Sequence, residues 1–297
     1  MKVYLVSQAW FRQLQKNYNI LFDDGKRKEM GIYLAGLSRM ENQLSLLKKW
    51  TGGDEDMQLY LAGVAPWREE GLYTKTILDH KPYILESFFY ADEMTKKMIP
   101  HYGDFLLDSG AFTFMKGKGH TDWDEYVERY ADFINENNVK KFFELDIDSV
   151  VGYDEVLRLR AKLEKLTNRR SIPVWHANRG WDGYIRMCDE YDYVSIGSNS
   201  QNDKVMPAFI HEAHKRGAKI HGLGYTKLTQ LHKMHFDSVD STAWTTGNRF
   251  GYVYYFDGKT MKKRDVPPGK RISDSKKVAL INYIEWIKFQ KYAEVHL

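Results

Sequence analysis

Eight short apolar runs, each stopping at or near a polar residue, recur along this chain and restrict its fold more than any other feature. They are LYLAGV (59–64), PYILES (82–87), FLLDS (105–109), FFELDI (142–147), IPVWHA (172–177), YVSIGS (193–198), KIHGLG (219–224) and SVDSTAW (238–244). Most are too continuously apolar for strands with one wet face, as expected of parallel strands covered by helices. Helical patterns lie between them. In 122–137, Trp123, Tyr126, Val127, Tyr130, Phe133 and Ile134 share one face, and Thr121 with Asp124 predicts the N-terminal cap. In 153–167 the stripe is Val156, Leu159, Leu163 and Leu166; 203–216 and 226–235 carry weaker helical patterns. Strand–helix alternation predicts an α/β protein, and eight strands favour a single closed (β/α)8, TIM-type barrel over an open Rossmann sheet. The domain reading is one barrel domain over 1–297, with 1–56 an N-terminal addition and 258–297 a basic segment plus a C-terminal helix at about 275–293.

Composition narrows the class. The 44 Lys and Arg against 40 Asp and Glu give +4, only mildly basic and unlike a nucleic-acid packaging protein. A hydrophobic share of 43% supplies a real core and argues against disorder. The single cysteine, Cys188, excludes an intramolecular disulfide framework and a zinc site built on several thiolates. No apolar run approaches the roughly 20 residues that cross a bilayer. The opening MKVYLVSQAWFRQ is too short in its apolar part for a signal-peptide core. The expectation is a cytoplasmic protein with no membrane partner.

The chemistry is written where the runs end. In a (β/α)8 barrel the reactive face is the C-terminal end of the strands. Those ends carry Glu86, Asp108, Asp146 with Asp148, His176, Ser198, His221 and Asp240. One such residue is readily a helix cap or turn former, but the recurrence of acids at strand ends predicts a shared pocket. Carboxylates around one pocket invite substitution at a sugar carbon, one attacking the anomeric carbon and another handling the leaving group's proton.

DSGAF (108–112), followed by VDSTAWTTGNRFG (239–251), resembles the tRNA-guanine transglycosylase superfamily, marked by an Asp-Ser-Gly-Gly-aromatic segment and a late Asp-Cys-x-x-x-Thr-Arg segment. Between them FFELD (142–146), SIGS (195–198) and GLG (222–224) stand in the family's order, so the resemblance covers roughly 100–251. By position it implies that Asp240 is the nucleophile on C1′ and Asp108 the general acid/base on the exchanging base. Asp146 then recognises the purine-like edge, Gly197 makes a backbone contact to the base, and Phe112 stacks on one face. His221 stands where the family has a stacking Met, His176 where it has a Gln, Ser198 where it has a second Gly, and Gly222 opens the Gly-x-Gly. Arg249 follows the nucleophile as a phosphate contact.

The departures redirect the substrate. The family's tRNA enzymes are longer and carry a Cys-x-Cys-x-x-Cys…His zinc module, which this chain lacks. A compact, zinc-free relative is similar to the DNA-modifying, often bacteriophage-encoded branch. That branch exchanges guanine in DNA for a 7-deazaguanine (a preQ0-like base) through a covalent Asp-glycosyl intermediate. The resemblance thus implies a pentosyltransferase with double-stranded DNA and a 7-deazaguanine as partners, no cofactor and no metal, in a bacterial or phage-infected cytoplasm. A tRNA enzyme without the zinc module and a barrel hydrolase or glycosidase using His176, His221 and aspartates remain the alternatives.

Other signals are weaker. The segment 258–277 holds eight Lys or Arg against two Asp, so Lys262, Lys263 and Arg264 are candidate backbone contacts, with a solvated loop as the bland reading. HGLGY lacks the third glycine and the acidic follow-up of a dinucleotide site. His211 with His214, and His232 with His235, are spaced i,i+3 and read as surface residues of outer helices rather than ligands. Asp237 competes with Asp240 as nucleophile, but only Asp240 keeps the spacing to Thr245 and Arg249. Phe112, Phe114 and Trp244 are candidates, by location, to fill the gap left by a flipped base.

Overall fold

The computed structural model describes residues 57–64, 71–114, 121–225, 227–264 and 274–297. Eight strands, each followed by helix, make the chain an α/β protein of the (β/α)8, TIM-barrel type: β1 (Gln58–Ala62), β2 (Tyr83–Ser87), β3 (Asp104–Asp108), β4 (Lys141–Phe142), β5 (Val174–Trp175), β6 (Tyr193–Ile196), β7 (Lys219–Gly222) and β8 (Ser238–Ser241). All eight fall on the runs singled out in the sequence, although FFELDI contributes only its first residue to β4. The helices are α1 (Gly71–His80), α2 (Glu93–Met98), α3 (Ala111–Phe114), α4 (Trp123–Glu136), α5 (Asp148–Val151), α6 (Tyr153–Thr167), α7 (Gly180–Glu190), α8 (Met206–Lys215), α9 (Leu228–Met234), α10 (Thr246–Phe250) and α11 (Ser275–His296). A hairpin, β9 (Val253–Phe256) with β10 (Met261–Arg264), stands between β8 and α11. Residues 1–56 lie outside the described residues.

Packing divides the chain into a larger unit, Gln58–Pro173 with Val239–His296, and a smaller one built on Val174–Ser238. In the larger unit the strand order is β4-β3-β2-β1-β8. β2 and β3 pair in parallel from Tyr83↔Asp104 to Ser87↔Asp108. The smaller unit carries β7-β6-β5, in register through Ser195↔His221 and Trp175↔Ile196. Leu59, Tyr60, Leu61, Leu106 and Leu107 are wholly buried, as strands covered on both faces require.

α4 forms because its apolar positions recur every three or four residues. Tyr126, Val127, Tyr130, Phe133 and Ile134 are buried. Its cap is Asp122, whose side chain accepts from Glu125 N at 3.0 Å, and not the expected Thr121. On α6, Val156, Leu159 and Leu163 face inward as expected, but Leu166 is exposed. The buried face of α6 also carries Arg160, 3.3 Å from the fully buried Glu144.

α11 lies against β1 and is fixed by two buried amides. Gln290 Nε2 donates to Leu59 O (2.6 Å) and Tyr83 O (2.9 Å), while its Oε1 accepts from Tyr83 N (3.0 Å). Eight residues earlier, Asn282 Oδ1 accepts from Tyr254 N (2.7 Å) and its Nδ2 donates to Trp244 O (3.2 Å). Each amide satisfies backbone groups that would otherwise be orphaned beneath the helix. Among the described residues no helix is long and apolar enough to cross a membrane.

Candidate active site

Asp108 is the last residue of β3, and the turn after it has no room for variation. Gly110 has φ +72, and a Cβ there would come within 2.6 Å of both Phe89 Cβ and Ser87 Oγ and 2.8 Å of Phe89 N. The position therefore demands glycine twice, for its backbone angle and for its closeness to the chain after β2. Gly110 N donates to Asp108 Oδ2 at 3.0 Å, which orients the carboxylate.

Two tyrosines of α4 fix the ends of β3 and β4 from outside. Tyr126 OH donates to Ser109 O at 2.5 Å. Tyr130 OH lies 3.1 Å from both Leu107 O and Phe143 O, spanning the two strand ends that lead to Asp108 and Asp146. The helical stripe marked both tyrosines as core, but their hydroxyls went unread. A tyrosine pair at i,i+4 on a buried face was the available signal, because a buried phenol has to find a partner.

Asp240 lies in β8 and is 5% exposed, whereas Asp146, in the loop after β4, is half-buried. Both act electrostatically on Asp108. Burial, then the carboxylate of Asp146, then that of Asp240 raise Asp108 from an ordinary 3.8 to about 7, against the lowering effect of the Gly110 hydrogen bond. The larger unit thus brings together Asp108, Asp146 and Asp240.

Glu86 does not join them. It pairs across the sheet with Leu107, while Ser87 pairs with Asp108, so strand alternation turns Glu86 to the opposite face. There, 4% exposed, it accepts from Tyr102 OH at 2.9 Å. Ser87 takes the place beside Asp108, and its buried Oγ has no hydrogen-bond partner. Trp244 is fully buried and donates to Ala62 O at 2.7 Å, so it is core and no gap-filling wedge. The side chains of Phe112, Phe114 and Arg249 lie outside the described residues.

His176, Gly197, Ser198, His221 and Gly222 belong to the smaller unit. A Cβ on Gly197 would meet the His176 ring at 2.4 Å, so glycine at this position makes the seat for that ring. Gly197 N donates to Trp175 O (3.0 Å) and its carbonyl accepts from Ser200 N (2.9 Å), so both backbone groups serve the unit itself. His221 is wholly buried, its Nδ1 2.6 Å from Ser238 Oγ, which also meets Tyr193 OH at 2.5 Å. That ring is held edge-on to a hydroxyl rather than offered to solvent. Gly222 packs against Tyr225 and Phe236, with room for a Cβ only at 3.1 to 3.2 Å from them. Ser198 opens the loop after β6, whose Asn199, Gln201 and Asn202 line a polar cavity of about 540 Å3.

The helix histidines are not simply surface residues. His214 Nε2 is 2.8 Å from Asp237 Oδ2, which also accepts from Ile220 N at 2.6 Å. Asp237 is thereby committed to holding β7, which leaves Asp240 as the acid of its pair inside the cluster. Among the described residues no group of three or more His, Cys, Asp or Glu side chains is arranged to hold a metal ion.

On the hairpin, Lys262 pairs with Asp257 (2.8 Å), Lys263 Nζ sits 3.6 Å over the Tyr252 ring, and Arg264 lies 5.7 Å from that of Tyr255.

No family model and no curated protein matches the chain. Among solved structures it is similar to a mandelate racemase/muconate lactonizing protein from Herpetosiphon aurantiacus, at 13% identity and TM-score 0.48, over 80% of this chain and 70% of that one. It is also similar to the carboxyl transferase domain of Rhizobium etli pyruvate carboxylase, at 10% identity and TM-score 0.46, over 89% of this chain. There it spans about half, 52%, of the matched chain.

Proposed function

We propose that the chain is a base-exchange enzyme of DNA, a pentosyltransferase that replaces guanine with a 7-deazaguanine in the cytoplasm of a bacterium or phage-infected cell. The observation that carries this reading is the Asp108–Asp146–Asp240 cluster, in which Asp108 is poised to hold or release a proton near neutral pH. Glycosyl transfer with retention needs two carboxyl groups in different states, one ionised and nucleophilic, the other able to carry a proton.

Asp240 attacks C1′ of a deoxyguanosine. The bond from C1′ to the base breaks with its electron pair going to guanine, and protonated Asp108 supplies the proton that neutralises it. An ester between Asp240 and the sugar remains. Asp108, now a carboxylate, takes a proton from the incoming 7-deazaguanine, whose ring nitrogen attacks C1′ and displaces Asp240. Two inversions retain configuration, and no energy source enters. Asp146 reads the hydrogen-bonding edge of the base. Lys262, Lys263 and Arg264 hold the phosphate backbone.

The test is incubation with radiolabelled guanine and either duplex DNA or tRNA. Label entering DNA supports the reading, and label in tRNA alone changes the polymer. Release of guanine from DNA with no label incorporated makes the protein a glycosidase.

A further inference from the structure

FFY (88–90) directly follows β2, and its three rings are put to different uses. Phe88 is the anchor. Its ring packs against Tyr126 (5.5 Å between centroids), Tyr130 (5.1 Å) and Phe133 (5.5 Å) on α4. Ala91 N donates back to Phe88 O at 3.1 Å, closing a single tight turn. Immediately beyond it the Asp92 side chain accepts from Thr95 N at 2.8 Å and caps α2. Both ends of the turn are therefore fixed, and the two rings between them reach solvent: Phe89 is 42% and Tyr90 56% exposed. They meet edge to face, 4.9 Å between centroids and 89° between planes.

Large apolar side chains left singly in solvent are ordinary, as at Leu78, Leu166 and Val295 on α1, α6 and α11. A braced pair of rings just past the C-terminal end of a barrel strand is not, because that end is the reactive face. Gly110 shows how near the pair stands to the acids. Its N–H holds Asp108 Oδ2 at 3.0 Å, and a Cβ added to it would lie 2.6 Å from Phe89 Cβ. One glycine thus separates the Phe89 side chain from the Asp108 carboxylate. All of these groups belong to the larger unit, as do Asp146 and Asp240. A base that reaches Asp108 from a duplex leaves an empty place in the stack. Unstacking is costly, and an apolar side chain that takes the vacant place offsets part of that cost. The turn is already ordered, so little entropy is lost when its rings enter.

We infer that Phe89 and Tyr90 form the wedge that enters the double helix and occupies the place of the nucleotide being exchanged. The inference rests on the reading of duplex DNA as substrate and supplies a part that reading needs, since Trp244 is committed to the core.

The experiment compares wild type with the double variant Phe89→Ala, Tyr90→Ala on one DNA sequence offered in three forms: intact duplex, duplex with the target guanine mismatched, and single strand. The double variant should lose roughly 10- to 100-fold in exchange on the intact duplex. The mismatch should recover most of that loss, because a loosened guanine is easier to extrude, and on the single strand the loss should be about 3-fold or less. Phe89→Leu with Tyr90→Leu should keep most of the duplex activity, since a wedge must be apolar but need not be aromatic. In a separate binding assay, wild type should prefer a duplex carrying an abasic site over the intact one by roughly 10-fold, and the double alanine variant should not. Unchanged duplex exchange in that variant, whose melting is normal, overturns the inference. Equal losses on duplex and single strand do so too, as does a wild type without abasic preference. If that preference depends on both rings but wild type moves no guanine, the exchange reading fails and the wedge stands. If exchange proceeds and the preference ignores both rings, only the wedge fails.

Discussion

The two ends of β3 carry the same residue in opposite company. At its start Asp104 Oδ2 meets Lys141 Nζ and accepts from Tyr60 OH (both within 2.7 Å), so its charge is matched by a cation and a donor. At its end Asp108 has only the backbone N–H groups of Gly110 and Ser109 to set against its burial and the charges of Asp146 and Asp240, and its pKa climbs to about 7. One end of the strand spends an aspartate on cohesion; the other keeps one in a state the fold itself disfavours. Chemistry is expected where charge is left unmatched, and stability where it is cancelled.

The sharpest break of this contrast is Asp240→Asn. Loss of the nucleophile should lower exchange by at least about 10^4-fold and remove any denaturant-resistant protein–DNA adduct, with DNA binding retained. An adduct that persists in gel analysis would overturn the assignment.

Asp108→Asn should lower exchange about 10^2- to 10^4-fold by removing proton transfer. It should also expose the energetic cost of this end. An acid whose pKa is higher folded than unfolded binds more protons in the native state, so stability is greatest below about pH 4 and falls as pH rises to about 7. Asn cannot ionise, so the variant should match wild type near pH 4 and exceed it above pH 7 by a few kcal/mol, at about 1.4 kcal/mol per pKa unit. Urea titrations at both pH values measure this, and parallel curves would show that the carboxylate is not strained.

The other end predicts the reverse. Lys141→Met strands Asp104 beside Tyr60 and should cost about 1 to 3 kcal/mol in thermal unfolding at neutral pH, with exchange kinetics unchanged at permissive temperature. The smallest effect is expected from Tyr130→Phe. Losing a hydroxyl shared by Leu107 O and Phe143 O should cost about 1 kcal/mol and lower kcat several-fold without altering KM.

How far the sequence reaches differs between these features. All eight strands were legible because a parallel strand buried on both faces must read as an apolar run, and Asp108 and Asp240 were legible because they interrupt such runs. Facing was not. Glu86 looks like Asp108 on paper, and only the register Ser87↔Asp108 shows that it points away. The cap of α4 shifted by one because Thr121 and Asp122 are both cap formers, each with an acid three residues on. The hairpin escaped because YVYYF mixes half-buried and exposed tyrosines, and tyrosine carries no sign of which face it takes. The fate of His214 turned on Asp237, 23 residues away in sequence. No local pattern encodes that distance.

The amide of Gln290 has a consequence for biosynthesis. Its donor closes on Leu59, 231 residues earlier in the chain. At about 5 to 20 residues per second, a ribosome takes roughly 10 to 45 s to cover that interval. Throughout it β1, one of the most apolar strands in the molecule, is already made but lacks the helix that will cover it. The nascent chain therefore exposes β1 for that whole interval, and a translational pause placed between the codons of β1 and those of α11 should raise aggregation more than the same pause placed ahead of β1.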